Sequence, residues 1–87
     1  MRVVKLDGSR IESPEDFLDA VAAALEFPDY FGRNWNALDD CLLDIDEPTV
    51  VEWTQASRFA RADPEEYAIA LSCFADTSSP VELRPID

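Results

Sequence analysis

The residues best suited to do chemistry crowd into one stretch. Between Asn34 and Ser57 stand six acids, Asp39, Asp40, Asp44, Asp46, Glu47 and Glu52, with no Lys or Arg among them. Stepping from Asn34 to Ile45 at about 100° per residue puts Trp35, Leu38, Cys41, Leu42 and Ile45 on one side. Asn36, Asp39, Asp40, Leu43 and Asp44 fall on the other. The pattern predicts a helix with a core face and an acidic face that carries a Leu in its middle. The acids sit in its middle and last turns. There the helix dipole disfavours each by about 0.3 kcal/mol or more, and no base one turn away relieves them. Charges that work against their own helix point to a use outside the fold, as fixed anions for a cationic partner.

Other readings of the same carboxylates stand beside that one. A solvated polar face on an acidic protein accounts for them too. Asp44-Ile45-Asp46 opens like a calcium loop, but Thr49 takes the position that calls for Gly and Pro48 interrupts it, so no metal is expected. Paired acids can hydrolyse glycosides. That chemistry needs a concave pocket, which 87 residues rarely provide, and no enzymatic activity is expected. There is no His, which removes the commonest general base, the Ser-His-Asp and Cys-His arrangements and every His-containing zinc site. Two Gly cannot write a phosphate-cradling loop, and Cys41 and Cys73 are too few for a disulfide framework or a four-Cys metal site. No cofactor is implied.

Composition sets the frame. Seven Lys and Arg face 19 Asp and Glu, a net charge of −12. This argues against direct nucleic-acid binding, which needs a basic footprint, and against an anionic membrane surface. At 87 residues a single domain, 1–87, is expected. The longest apolar run, Ala20 to Leu25, is far short of a membrane span, and Met1-Arg2-Val3-Val4-Lys5-Leu6-Asp7 has no signal-like apolar stretch. The expectation is a cytoplasmic protein with reduced thiols, both small and buried.

The elements that must position the acidic segment follow from local signals. Arg2 to Leu6 reads as a strand, closed by the turn dipeptide Asp7-Gly8. Ser13-Pro14-Glu15-Asp16 starts a helix that Phe27-Pro28 ends, with Phe17, Leu18, Val21 and Leu25 on one face. Asn34 caps the acidic helix, which runs to about Ile45. Thr49 to Trp53 is a strand with Trp53 in the core, and 54–62 a short helix. Asp63-Pro64-Glu65-Glu66 has the form of a capping box ahead of a helix through Phe74, and Val81 to Ile86 is a last strand, with Pro85 suited to a sheet edge. Strands alternating with helices predict an α/β fold with a small parallel sheet. Tyr30 is expected to point outward beside the acidic face. Asp76 is expected to be solvated unless its helix end lies beside that face.

The stretch Phe27-Pro28-Asp29-Tyr30-Phe31-Gly32-Arg33-Asn34-Trp35-Asn36-Ala37-Leu38-Asp39-Asp40-Cys41-Leu42 resembles the signature of the barstar family. These proteins are intracellular inhibitors of secreted, guanyl-preferring microbial ribonucleases such as barnase. The likeness runs from Val3 to Ile86 and includes Val51-Glu52-Trp53 and Ala70-Leu71 with Phe74. The resemblance implies a three-stranded parallel sheet flanked by three to four helices. It also implies that the second helix and its preceding loop enter the active site of a basic ribonuclease. Asp40 matches the central aspartate that takes the place of a substrate phosphate, and Tyr30 an aromatic that packs on the enzyme's catalytic histidine. Asn34 matches the start of the inhibitory helix, and Asp76 a peripheral glutamate. The chain departs from barstar at Asn36 (an aspartate there), at Asp39 (a Trp) and at Leu43-Asp44-Ile45 (Thr-Gly-Trp). These positions line the contact surface and bear on which target is bound. An acidic regulatory domain or antitoxin on another basic partner is the alternative.

Overall fold

A computed structural model describes residues 1–28 and 32–86. Tyr30 lies outside the described residues. Among those described, the order of elements is β1 (Arg2–Asp7), a 3-10 turn (Gly8–Arg10), α1 (Pro14–Ala24), α2 (Trp35–Leu43), β2 (Thr49–Thr54), α3 (Ala56–Ala62), α4 (Pro64–Asp76) and β3 (Val81–Ile86). The strands form one sheet in the order β1-β2-β3, and both pairings are parallel. This is the expected three-stranded α/β architecture with four helices.

Register decides which side chains meet the helices. Leu6 lies opposite Trp53, Val4 opposite Val51, and Val51 opposite Leu83, so these share one face of the sheet. The other face carries Val3, Lys5, Glu82, Arg84 and Ile86, all exposed, with Val50 buried and Glu52 half-buried between them on the central strand. The helices therefore gather on one side, where Phe17, Leu18 and Val21 of α1, Leu38 and Leu42 of α2, Phe59 of α3 and Ala70 and Phe74 of α4 are buried with Leu6, Val51 and Trp53. Trp53 and Phe17 form the hub, with ring centroids 4.8 Å apart. Phe59 and Tyr67 lie 5.9 and 5.5 Å from Trp53. Burying a side chain such as Phe17 contributes about 1.5–3 kcal/mol.

Helix starts obey their local signals. Ser13 Oγ accepts the Asp16 amide proton at 3.1 Å, and Asp63 Oδ1 accepts that of Glu66 at 3.2 Å, each ahead of a Pro in the first turn. Helix ends differ from the sequence expectation. α1 stops at Ala24, short of Phe27-Pro28, because Glu26 turns left-handed (φ 57°) and the Phe27 amide closes back onto the Ala22 carbonyl at 2.9 Å. Arg2 fastens this end to β1 through the Ala24 carbonyl and the Glu26 carboxylate. α2 ends at Leu43 instead of Ile45, since the Asp44 and Ile45 amides tighten onto the Cys41 and Leu42 carbonyls. β2 runs to Thr54 and Gln55 is left-handed (φ 52°), so the short third helix starts at Ala56.

The Asp7-Gly8 dipeptide does turn, for a reason the dipeptide alone does not give. Gly8 is buried against the exit of β2, and a Cβ there would lie 1.9 Å from the Thr54 carbonyl oxygen. Only a residue without a side chain lets the two strand exits cross this closely. Gly8→Ala is expected to destabilise the protein by about 2 kcal/mol or more. Urea unfolding should show this as a lower midpoint at unchanged slope.

Candidate functional site

α2 is positioned from both ends and from beneath. Asn34 Oδ1 accepts the Ala37 amide proton at 2.8 Å while its Nδ2 donates to the Gly32 carbonyl at 3.1 Å, so one side chain caps the helix and fixes the loop before it. Leu38 and Leu42 are fully buried, and Trp35, Cys41 and Ile45 are half-buried beside them. Cys41 is thus less enclosed than the sequence expectation of a buried thiol. The principal packing partner of α2 is α4. At the start of α2 the Trp35 indole nitrogen donates to Glu66 Oε2 of α4 at 2.8 Å. Just past its end, Ser79 Oγ donates to the Ile45 carbonyl at 3.0 Å.

The outward face carries the predicted residues together. Asn34, Asn36, Asp39, Asp40, Leu43 and Asp44 are all exposed, and Leu43 keeps 55% of its surface in water. The helix has no acid in its first turn and no base in its last. Among the described residues the ion pairs are Arg2–Glu26, Arg33–Asp19, Arg58–Glu12 and Arg84–Glu82, so none neutralises Asp39, Asp40 or Asp44. Arg33, the nearest base in sequence, is turned away and held by both Asp19 oxygens at 2.8 and 2.9 Å.

Asp76 joins this face. A depression of about 270 Å³ between α2 and α4 is lined by Asp39, Leu43, Cys73, Asp76, Thr77 and Ser78. The end of α4 therefore lies beside the acidic helix, with Asp76 exposed there. A larger depression of about 430 Å³ lies elsewhere, along β1 and α1, away from these carboxylates. Within the smaller one, burial with the charges of Asp39 and Asp76 pushes the Cys73 thiol up to about 11. Burial and the neighbouring Asp44 and Asp40 raise the Cys41 thiol as well. Both thiols are held in the weakly nucleophilic protonated form at neutral pH. Among the described residues no group of three or more His, Cys, Asp or Glu is placed to hold a metal ion, and no helix is long and apolar enough to cross a membrane.

Sequence reasoning missed Glu66 and the lining contributed by Cys73, Thr77 and Ser78. Glu66 occupies the last position of an apparent capping box, but only half of that box forms. Asp63 accepts from Glu66, while the Asp63 amide donates to the Phe59 carbonyl and the Glu66 carboxylate turns to Trp35.

A small α/β scaffold presenting an exposed acidic helix, none of whose carboxylates is ion-paired among the described residues, defines the class. Comparison with known proteins then makes the assignment specific. The barstar family profile, described as barstar (barnase inhibitor), matches residues 1–87, and the chain belongs to that family. A 42-residue stretch is 48% identical to "Putative ribonuclease inhibitor YrdF" of Bacillus subtilis (strain 168). The aligned stretch covers 48% of this chain and 46% of that protein, about half the length of each.

The raised Cys73 value fixes a sign for alkaline pH. A thiol whose proton is held more tightly in the folded state supports folding below its ordinary value near 9 and loses that support as pH climbs toward 11. Wild-type stability is therefore expected to fall faster than that of Cys73→Ala between pH 9 and 11, measured by denaturant midpoints across that range.

Proposed function

We propose that this chain inhibits a ribonuclease by seating α2 in the enzyme's active site, without catalysis or cofactor of its own. The observation that carries the reading is the exposed, unpaired carboxylate face of α2 in a chain of the barstar family. A ribonuclease must gather cationic donors to hold RNA phosphates and to stabilise charge in the transition state. Carboxylates fixed on a helix satisfy those donors and offer no bond to cleave. Asp40 stands for the phosphate at the centre, with Asn36, Asp39, Leu43 and Asp44 around it and Asp76 at the rim. The loop bearing Tyr30 and the cap Asn34 complete the contact.

The net charge of −12 supports the same reading from a distance. Opposite charge steers encounter, and screening beyond about 8 Å at physiological salt makes that steering sensitive to ionic strength. The target we propose is a secreted, guanyl-specific microbial ribonuclease, with the inhibitor acting in the cytoplasm of the producing cell. Asn36, Asp39 and Leu43-Asp44-Ile45 set which enzyme of that class is bound.

Asp40→Ala is expected to weaken inhibition by more than about 2 kcal/mol, the general threshold of an interface hot spot, for which barnase–barstar is itself a reference case. Inhibition titrations against a panel of guanyl-specific ribonucleases at low and high salt measure it. Wild-type association should slow as salt rises. An Asp40→Ala variant that inhibits as well as wild type would remove that residue from the centre. Silence of the wild-type chain across the panel would turn the reading to a different basic partner.

A further inference from the structure

The helix that carries the exposed acids is held chiefly by α4, and the polar link at its start is unusual. Trp35 is the first residue of α2, and its indole N–H reaches 31 residues along the chain to Glu66 in the first turn of α4, at 2.8 Å. Both side chains are half-buried. A charge-assisted hydrogen bond shielded from water is stronger than an exposed one, and the indole ring is fixed further by Phe17, 5.9 Å away. Glu66 gives up the usual role of its position to make this bond, since the cap amide of Asp63 is satisfied by Phe59 instead. The opposite end of α2 is held by Ser79 on the Ile45 carbonyl.

We infer that Glu66 is a positioning residue, which orients the binding face of α2 by anchoring the Trp35 indole while touching no partner itself. The inference deepens the inhibitory reading and rests on it for its binding arm, though the anchoring is tested without any partner. α2 cannot rely on its own electrostatics, because Asp39, Asp40 and Asp44 crowd its C-terminal half with no compensating base. The fixed geometry must come from outside the helix. A face held rigid before encounter loses less conformational freedom on binding, and the gain appears as slower dissociation.

Three variants separate anchoring from charge and from bulk stability. Glu66→Ala removes the acceptor, Trp35→Phe removes the donor and leaves a smaller aromatic ring in its place, and Glu66→Gln keeps an acceptor while deleting the charge. Amide hydrogen exchange on the free chain should accelerate roughly tenfold at Leu38 to Leu42 in Glu66→Ala and Trp35→Phe. It should rise less in Glu66→Gln, which keeps an acceptor but loses the charge assistance, and stay near wild type at Val50 to Trp53 of β2 in every variant. Unchanged exchange in α2, or an equal rise in β2, overturns the inference and leaves Glu66 as a surface acid or a generic stabiliser. In a ribonuclease complex, Glu66→Ala should dissociate about tenfold faster with little change in association, and Glu66→Gln should fall between Glu66→Ala and wild type. Faster exchange with unchanged dissociation also overturns it. Failure of the wild-type chain to inhibit any ribonuclease sinks the inhibitory reading instead, and the exchange measurements still decide the anchoring.

Discussion

The burial of Leu38 and Leu42 beneath α2 is the contact on which the rest depends. Nine residues form that helix, and its two faces make opposite demands. The outward face collects carboxylates near the negative end of the helix dipole, an arrangement that disfavours the helix taken alone. Short helices are marginal in water even with favourable charges. Apolar burial from below, the Asn34 cap, and the hydrogen bonds of Trp35 with Glu66 and of Ser79 with Ile45 therefore hold what electrostatics would loosen. Local unfavourability on a surface that the remaining fold over-determines is a familiar signature of a functional element.

Much of this was legible in the sequence because it depends on neighbours in the chain. Ser13, Asn34 and Asp63 cap helices through groups three residues away, and Pro14 and Pro64 reinforce two of those starts. The division of α2 into buried and exposed sides follows from its period alone. What the sequence concealed depends on distant neighbours or on backbone conformation. Glu26, Arg33 and Gln55 adopt positive φ without being Gly, so nothing in their type announces where α1 stops or where the chain turns before α2 and α3. The choice Glu66 makes between the Asp63 amide and the Trp35 indole is set by two helices meeting across 31 residues. The depression under Asp39 and Asp76 likewise exists only once α2 and α4 lie side by side.

Family membership and site chemistry support each other without being the same argument. Membership rests on the match over residues 1–87, whereas the role of each side chain rests on where it points and what neutralises it. Asp39 shows why the distinction matters. It stands where barstar has a Trp, it is exposed, and it lines a depression with Cys73 of α4. A large aromatic and an exposed carboxylate make different demands on whatever meets them. This position, more than the shared scaffold, is where specificity within the family would diverge.

The order of the strands has a consequence of its own. Open α/β sheets bind ligands in the crevice created where successive connections reverse direction and send helices to opposite faces. Here each strand is laid beside the last without reversal, and the general right-handedness of such connections sends successive helices to the same face, in agreement with the exposed Val3, Lys5, Glu82, Arg84 and Ile86 on the other. Such a topology contains no switch point and so no crevice of that kind at the strand ends. What it offers instead is the outward face of a helix, and a protruding helix engages other molecules by filling their hollows.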